Sequence, residues 1–179
     1  GVFLGAVAQA TSKIKLGPLV YLLPLYSPLR LIEEVAILDH LSGGRLQVGV
    51  GRGISPFELN FHNVDAETSR EVFLDALEAL IYGLTHEMLD HDGKHFQYKN
   101  VPMELRPLQT PHPPIWFGGR NPDGLRRAVQ RGQGWMGAGS TTTEQFREPV
   151  GVLRESLYAV GRDPGSFAIS KRVYIGLDD

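Results

Sequence analysis

The stretch Leu38-Asp39-His40-Leu41-Ser42-Gly43-Gly44-Arg45-Leu46-Gln47-Val48-Gly49-Val50-Gly51-Arg52-Gly53 decides the fold. A helix closes at Ser42-Gly43-Gly44, because glycine accepts the left-handed conformation that ends a helix. An apolar strand, Arg45 to Val50, follows at once and runs out into glycine, arginine, glycine. Helix, tight turn and strand in immediate succession make an α/β unit. Its strand ends with a guanidinium among glycines, at the end of the sheet where α/β enzymes collect their ligands. An arginine there suits a phosphate, which its planar fork holds with two hydrogen bonds.

Working outward, the same alternation recurs. Upstream, Gly1–Ala10 reads as the second half of a helix and Lys13 to Leu23 as a strand. The apolar run Leu19-Val20-Tyr21-Leu22-Leu23 suits a strand covered on both faces. Ser27 is predicted to cap the next helix with Pro28 at its first position, and Ile32, Val35, Ala36, Leu38 and Leu41 form its apolar stripe. Downstream, a loop rich in Gly, Pro and Asn precedes a long helix carrying Phe73, Leu77, Leu80 and Leu84. Residues 91–103 predict a hairpin insertion around the turn pair Asp92-Gly93. A proline-rich connector leads to the strand Ile115-Trp116-Phe117, which ends on Gly118-Gly119. Asn121-Pro122 opens a helix with Leu125, Ala128 and Val129 inward, and Gly134-Trp135-Met136-Gly137 is a further strand. Thr141 and Glu144 read as a capping box for a helix bearing Phe146, Val150, Leu153, Leu157 and Val160 and ending at Gly161. Pro149, beside that stripe, predicts a kink or a later helix start. Phe167 to Leu177 reads as the last strand. The pattern is a run of βα units, about five parallel strands with helices outside.

Composition bounds the function. The chain has 179 residues, 42% of them hydrophobic, and a net charge of -2 with both signs interspersed. A nucleic-acid binder would show a basic patch, so no nucleic-acid partner is expected. The absence of cysteine excludes disulfides and thiolate metal sites. No apolar run reaches the roughly 18 residues of a membrane span and no signal peptide opens the chain, so the expectation is a cytoplasmic protein without a membrane partner.

The glycines after three successive strands, Gly51/Gly53, Gly118/Gly119 and Gly137/Gly139, read either as tight turns or as places where backbone approaches a flat or phosphorylated ligand. Asn121 favours the second, since its helix start offers free N–H groups and the positive end of the helix dipole on the side expected for Arg52. His40 reads as packed or solvated at a helix end. His91 and His95 lie four apart on a turn and read as a solvated hairpin before a metal site. Trp116 and Trp135 read as core before substrate stackers.

Several motifs together resemble the bacterial luciferase-like family of flavin-dependent monooxygenases. They are Leu23-Pro24 with Ser27-Pro28-Leu29-Arg30, Glu33-Glu34, Leu38-Asp39-His40-Leu41-Ser42-Gly43-Gly44-Arg45, Pro113-Pro114-Ile115-Trp116-Phe117-Gly118-Gly119 and Gly132-Gln133-Gly134-Trp135-Met136. The resemblance covers essentially the whole chain. It implies a (β/α)8 barrel that binds reduced flavin mononucleotide (FMN) at the carboxyl ends of its strands and, with dioxygen, inserts one oxygen atom into a small organic substrate. It implies that Arg52 contacts the flavin phosphate and that Gly118, Gly119, Arg120, Asn121 and Gly124 form the phosphate turn, through backbone only. It also implies a non-prolyl cis peptide at Leu19-Val20 against the flavin ring, with Met136 and Gly137 on the same wall. Gly51 falls where luciferases carry a cysteine, and its missing side chain is expected to leave room. Gln133 replaces an aspartate common in the family.

On this alignment the chain is a single partial barrel, 1–179, starting in the second helix and ending at the seventh strand. The histidine that family members use is expected in the absent early portion, so no catalytic residue is named. A flavin reductase supplying reduced flavin and assembly as a homo-oligomer are the implied partners. Two other readings stay open: a hydride-transfer oxidoreductase using a deazaflavin, and a flavin-binding or structural fragment without turnover.

Overall fold

A computed structural model describes residues 1–174. It divides into two units, Gly1–Pro113 and the segment from Pro114 onward, each taken by itself.

In the first unit the backbone of Leu16 exchanges hydrogen bonds with Arg45 and Gln47, then leaves the ladder, because Pro18 has no N–H to offer it. The Leu19–Val20 peptide is cis. Pairing resumes at β1 (Tyr21–Leu22), parallel to β2 (Val48–Gly51), with Tyr21 opposite Val50 and Leu22 opposite Gly51. The expected strand from Lys13 to Leu23 is thus one bridge and two paired residues, and Leu23–Leu25 forms a 3-10 turn.

Helix α1 (Val2–Ala10) precedes this and α2 (Pro28–Ser42) joins β1 to β2. Ser27 stands at the N-terminus of α2 but its side chain makes no capping bond, contrary to expectation. Ile32, Val35, Ala36 and Leu38 are buried as the stripe requires, joined by Leu31, whereas Leu41 stays 43% exposed. The helix ends as read: Gly43 and Gly44 have φ of 62° and 77° and donate to His40 and Asp39 carbonyls. The loop after β2 contains an unexpected short helix, α3 (Pro56–Phe61). In α4 (Ser69–Thr85) Phe73, Leu77, Leu80 and Leu84 are all buried. The hairpin β3 (Met88–Asp92) and β4 (Gln97–Pro102) is antiparallel and begins three residues before His91.

In the second unit β6 (Gly134–Gly137) lies between β5 (Ile115–Phe117) and β7 (Ala168–Lys171), parallel to both. Helix α5 (Pro122–Arg131) joins β5 to β6 with Leu125, Ala128 and Val129 buried, and α6 (Thr143–Ala159) joins β6 to β7. The capping box is Thr142 with Gln145, one residue beyond the expected pair. Pro149 sits buried inside α6, so the helix does not start there, and Val160 is 53% exposed rather than inward. β7 ends at Lys171, short of the expected strand, whose last residues Ile175–Leu177 lie outside the described residues. The described residues hold five short parallel strands, two in the first unit and three in the second: an α/β fold.

Candidate functional site

The polar residues of the opening motif hold the fold. Asp39, fully buried, accepts the Gln109 backbone N–H at 2.9 Å and the Gln109 side-chain amide at 2.7 Å. Ser42 donates to the Asp39 carbonyl and accepts the Arg45 N–H. The Arg45 guanidinium donates to the carbonyls of Ser42, Ile14, Ala8 and Thr11 and to the Thr11 hydroxyl, at 2.6 to 3.1 Å. It ties the end of α1 to the end of α2. His40 is exposed and reaches the Arg106 carbonyl.

Seven residues on, Arg52 differs from Arg45. It is exposed at the carboxyl end of β2, with one side-chain hydrogen bond among the described residues, to the hydroxyl of buried Ser69 at 3.3 Å. Ser69 in turn donates to Ala66, so it orients the guanidinium and leaves most of its five donors unengaged. Gly53 takes φ 85°, a turn that favours glycine. The room expected over Gly51 is taken: a side chain there would come within 2.6 Å of Val20 Cγ2, so strand packing explains the glycine.

A cavity of about 390 Å³ opens at the carboxyl end of β1. Val20, Leu22, Leu25, Tyr26, Glu58 and His62 line it. Sequence reasoning passed over Glu58 and His62. The signal was Ser55-Pro56-Phe57-Glu58, a cap followed by a first-turn proline and an acid; Ser55 Oγ accepts the Glu58 N–H at 3.3 Å. Leu19 is half exposed beside this cavity's Val20. Behind it Tyr21 donates to Glu34, and burial first, then that bond, pushes its phenol far above the usual range. Tyr26, edge-on to Tyr21 at 5.3 Å, is pushed upward by burial and by the Glu34 charge.

His91 and His95 sit against α4. Asp75 accepts His91 Nε2 and the N–H groups of His95 and Phe96, which clamps the hairpin turn. His95 Nε2 is buried 3.6 Å from Glu71. Among the described residues no group of three or more His, Cys, Asp or Glu is arranged to hold a metal.

In the second unit Gly118-Gly119-Arg120 follows β5 and Asn121 caps α5, its side chain accepting the Asp123 N–H at 3.0 Å. Gly119 takes φ 87°, and apart from the adjoining backbone no atom of the described residues lies within 4 Å of where a Cβ would stand on Gly119 or Gly124. Arg120 is exposed. Asp123, the one acid of the first turn, pairs with Arg126 at 3.1 Å. Trp135 is buried and donates to the Gly119 carbonyl at 2.7 Å, so it supports the turn from the core. Gly137 is buried under Phe146, whose ring lies 2.5 Å from where its Cβ would be. Met136 Sδ accepts the Ser170 hydroxyl. Gln133 Oε1 accepts the Ile115 N–H at 2.8 Å, a structural use of the residue that replaces the family aspartate.

Parallel strands β1, β2, β5 and β6 are each followed by a helix, and exposed Arg52 and Arg120 stand after β2 and β5: the chain is an α/β protein. Residues 2–179 match the family model described as luciferase-like monooxygenase, and the chain belongs to that family. It is 40% identical over 160 residues to the uncharacterized protein y4wF of Sinorhizobium fredii, covering 87% of this chain and 47% of that protein. It is 32% identical over 128 residues to the oxygenase component of flavin-dependent trigonelline monooxygenase from Acinetobacter baylyi, covering 70% and 35%. The crystal structure of the monooxygenase RslO1 from Streptomyces bottropensis matches at a TM-score of 0.87 and 29% identity, covering 98% of this chain and 54% of that one. The chain spans about half the length, or less, of these curated relatives. Its fold is that of the (β/α)8 barrel family, of which the described residues supply five parallel strands. No helix among them is long and apolar enough to cross a membrane.

Proposed function

We propose that this chain binds reduced FMN and acts as the oxygenase side of a flavin-dependent monooxygenase on a small organic substrate, with a separate reductase delivering the reduced flavin. The observation that carries the reading is the turn opening α5. Open space over Gly119 and Gly124, an exposed Arg120 and the positive end of a ten-residue helix fit a phosphate held by backbone N–H groups. The kinship with a flavin-dependent oxygenase component supports it. In the first unit Arg52, oriented by Ser69 and with no other hydrogen bond among the described residues, is an anion-binding group in its own right. Reduced FMN, when bound, supplies the electrons by which one atom of dioxygen enters a substrate and the other leaves as water. The chain's own part is to hold the phosphate by the backbone of the Gly118–Gly124 turn, with Arg52 as the phosphate contact that the family resemblance implies. Leu19, Val20 and Met136 supply apolar surface toward the flavin ring.

The test is a titration of FMN against riboflavin, which lacks the phosphate, in the oxidised and the anaerobically reduced forms. The expected result is tighter binding of FMN. Losing the Arg52 contact is worth about 1.5–3 kcal/mol, so Arg52→Ala lowers that preference roughly ten- to hundredfold. Gly124→Asp, which puts a carboxylate into the open space, lowers it as well. Equal binding of the two flavins would refute the phosphate role. Turnover with a reduced deazaflavin and no oxygen uptake would replace oxygenation by hydride transfer.

A further inference from the structure

Glu58 and His62 line the cavity of about 390 Å³ beside β1, and among the described residues neither side chain has a hydrogen-bond or ion-pair partner. Their placement follows from α3. Ser55 caps the helix, Pro56 starts it, and Leu59 is its one buried side chain, packed over Gly53. Glu58 and His62, four apart, fall on a common side. Val20, Leu22, Leu25 and Tyr26 complete the lining. The lining thus holds one carboxylate, the phenol ring of Tyr26 and the imidazole of His62, but no lysine or arginine. That combination selects by charge. A carboxylate makes its strongest hydrogen bonds to cations, and an aromatic face attracts them. An anion would meet Glu58 with no counter-charge. The size is that of a site for a small organic molecule.

We propose that this cavity is a binding site for a small organic cation, an amine or quaternary nitrogen on a compact apolar body, with Glu58 as its counter-ion. Under the flavin reading above, on which this part rests, it is the site of the substrate. His62, when neutral, adds an acceptor for an N–H of the same group.

The test uses the whole chain without flavin and three probes of similar size: benzyltrimethylammonium, benzyl alcohol and phenylacetate, titrated calorimetrically. The ammonium probe is expected to bind at least about tenfold tighter than the other two, a difference of one charge-assisted contact. Glu58→Gln removes most of that preference, and His62→Lys, which brings a like charge to the cavity, does the same by a second route. Leu22→Trp, which fills the cavity, weakens all three probes. Glu155→Gln, an exposed acid on α6, changes nothing. The site is overturned if no probe binds, if phenylacetate or the alcohol binds as well as the ammonium, or if Glu58→Gln keeps the preference. The FMN-to-riboflavin ratio is read separately. Its loss with the cation preference intact retires the flavin reading alone, and the converse retires only this site.

Discussion

Asp39→Ala tests whether the motif that identifies the family serves folding or ligand binding. The Asp39 carboxylate is 0% exposed and accepts two hydrogen bonds from Gln109, at 2.9 and 2.7 Å. A hydrogen bond to a charged acceptor contributes about 1.5–3 kcal/mol, so losing both bounds the cost at about 6 kcal/mol. Part of that is recovered. Gln109 Nε2 keeps a second acceptor, the Leu46 carbonyl at 2.9 Å, so the Gln109 backbone N–H is the donor left stranded. The expected loss is therefore about 3–4 kcal/mol. At about 2–4 °C per kcal/mol for a chain of this size, the melting temperature falls by roughly 6–16 °C. The assay is thermal unfolding by circular dichroism, beside an FMN titration well below the variant's midpoint. Affinity there should stay within about twofold, since Asp39 is sealed from any ligand. A variant that melts within about 2 °C of the parent yet loses FMN would refute the reasoning and make Asp39 part of the site.

The other expectations follow from single contacts. Burial alone pushes Asp75 upward, but the N–H of His95, the ring of His91 and the N–H of Phe96 together outweigh it and hold the carboxyl below its usual value. Such a group stabilises the fold above its unfolded pKa of about 3.9, and the contribution is lost as pH falls through the lower folded value. Asp75→Asn should therefore lower the urea midpoint at pH 7, with the gap to the parent closing in strong acid; a gap constant with pH counts against it. Gln133→Ala strands the Ile115 N–H at a buried strand and should cost about 1–3 kcal/mol by chemical denaturation. Gly51→Ala drives a methyl to 2.6 Å from Val20 Cγ2 and should cost about 1–3 kcal/mol. Ser69→Ala releases Arg52, so FMN affinity should fall while riboflavin affinity holds.

Much of the architecture was legible because it rests on local rules. The glycine stop at Gly43-Gly44, the apolar stripe of α4 and the Asn121-Pro122 helix start each need only neighbouring residues to form. The strand expected over Lys13 to Leu23 failed for a reason also local but outweighed: the apolar run hid Gly17-Pro18, where a ladder loses its donor. Leu41 and Val160 carry apolar side chains at the right spacing and remain exposed, since periodicity states which face a residue takes and not what covers it. The candidate site was legible only where backbone makes it. Gly119 and Asn121 declare themselves by type, because few other residues do their work. Glu58 and His62 do not, since a glutamate on a six-residue helix and a histidine just after it look like solvated surface until the cavity they line is known. The two arginines mark the same limit. Arg45 and Arg52 are seven apart, each beside glycine, and share one chemistry. What separates them is a set of carbonyls at Ala8, Thr11 and Ile14, more than thirty residues upstream, that saturates the first guanidinium. The second finds, among the described residues, only the Ser69 hydroxyl. An arginine is free to bind a ligand when the fold leaves its donors unspent, and that is a property of its long-range neighbours rather than of its motif.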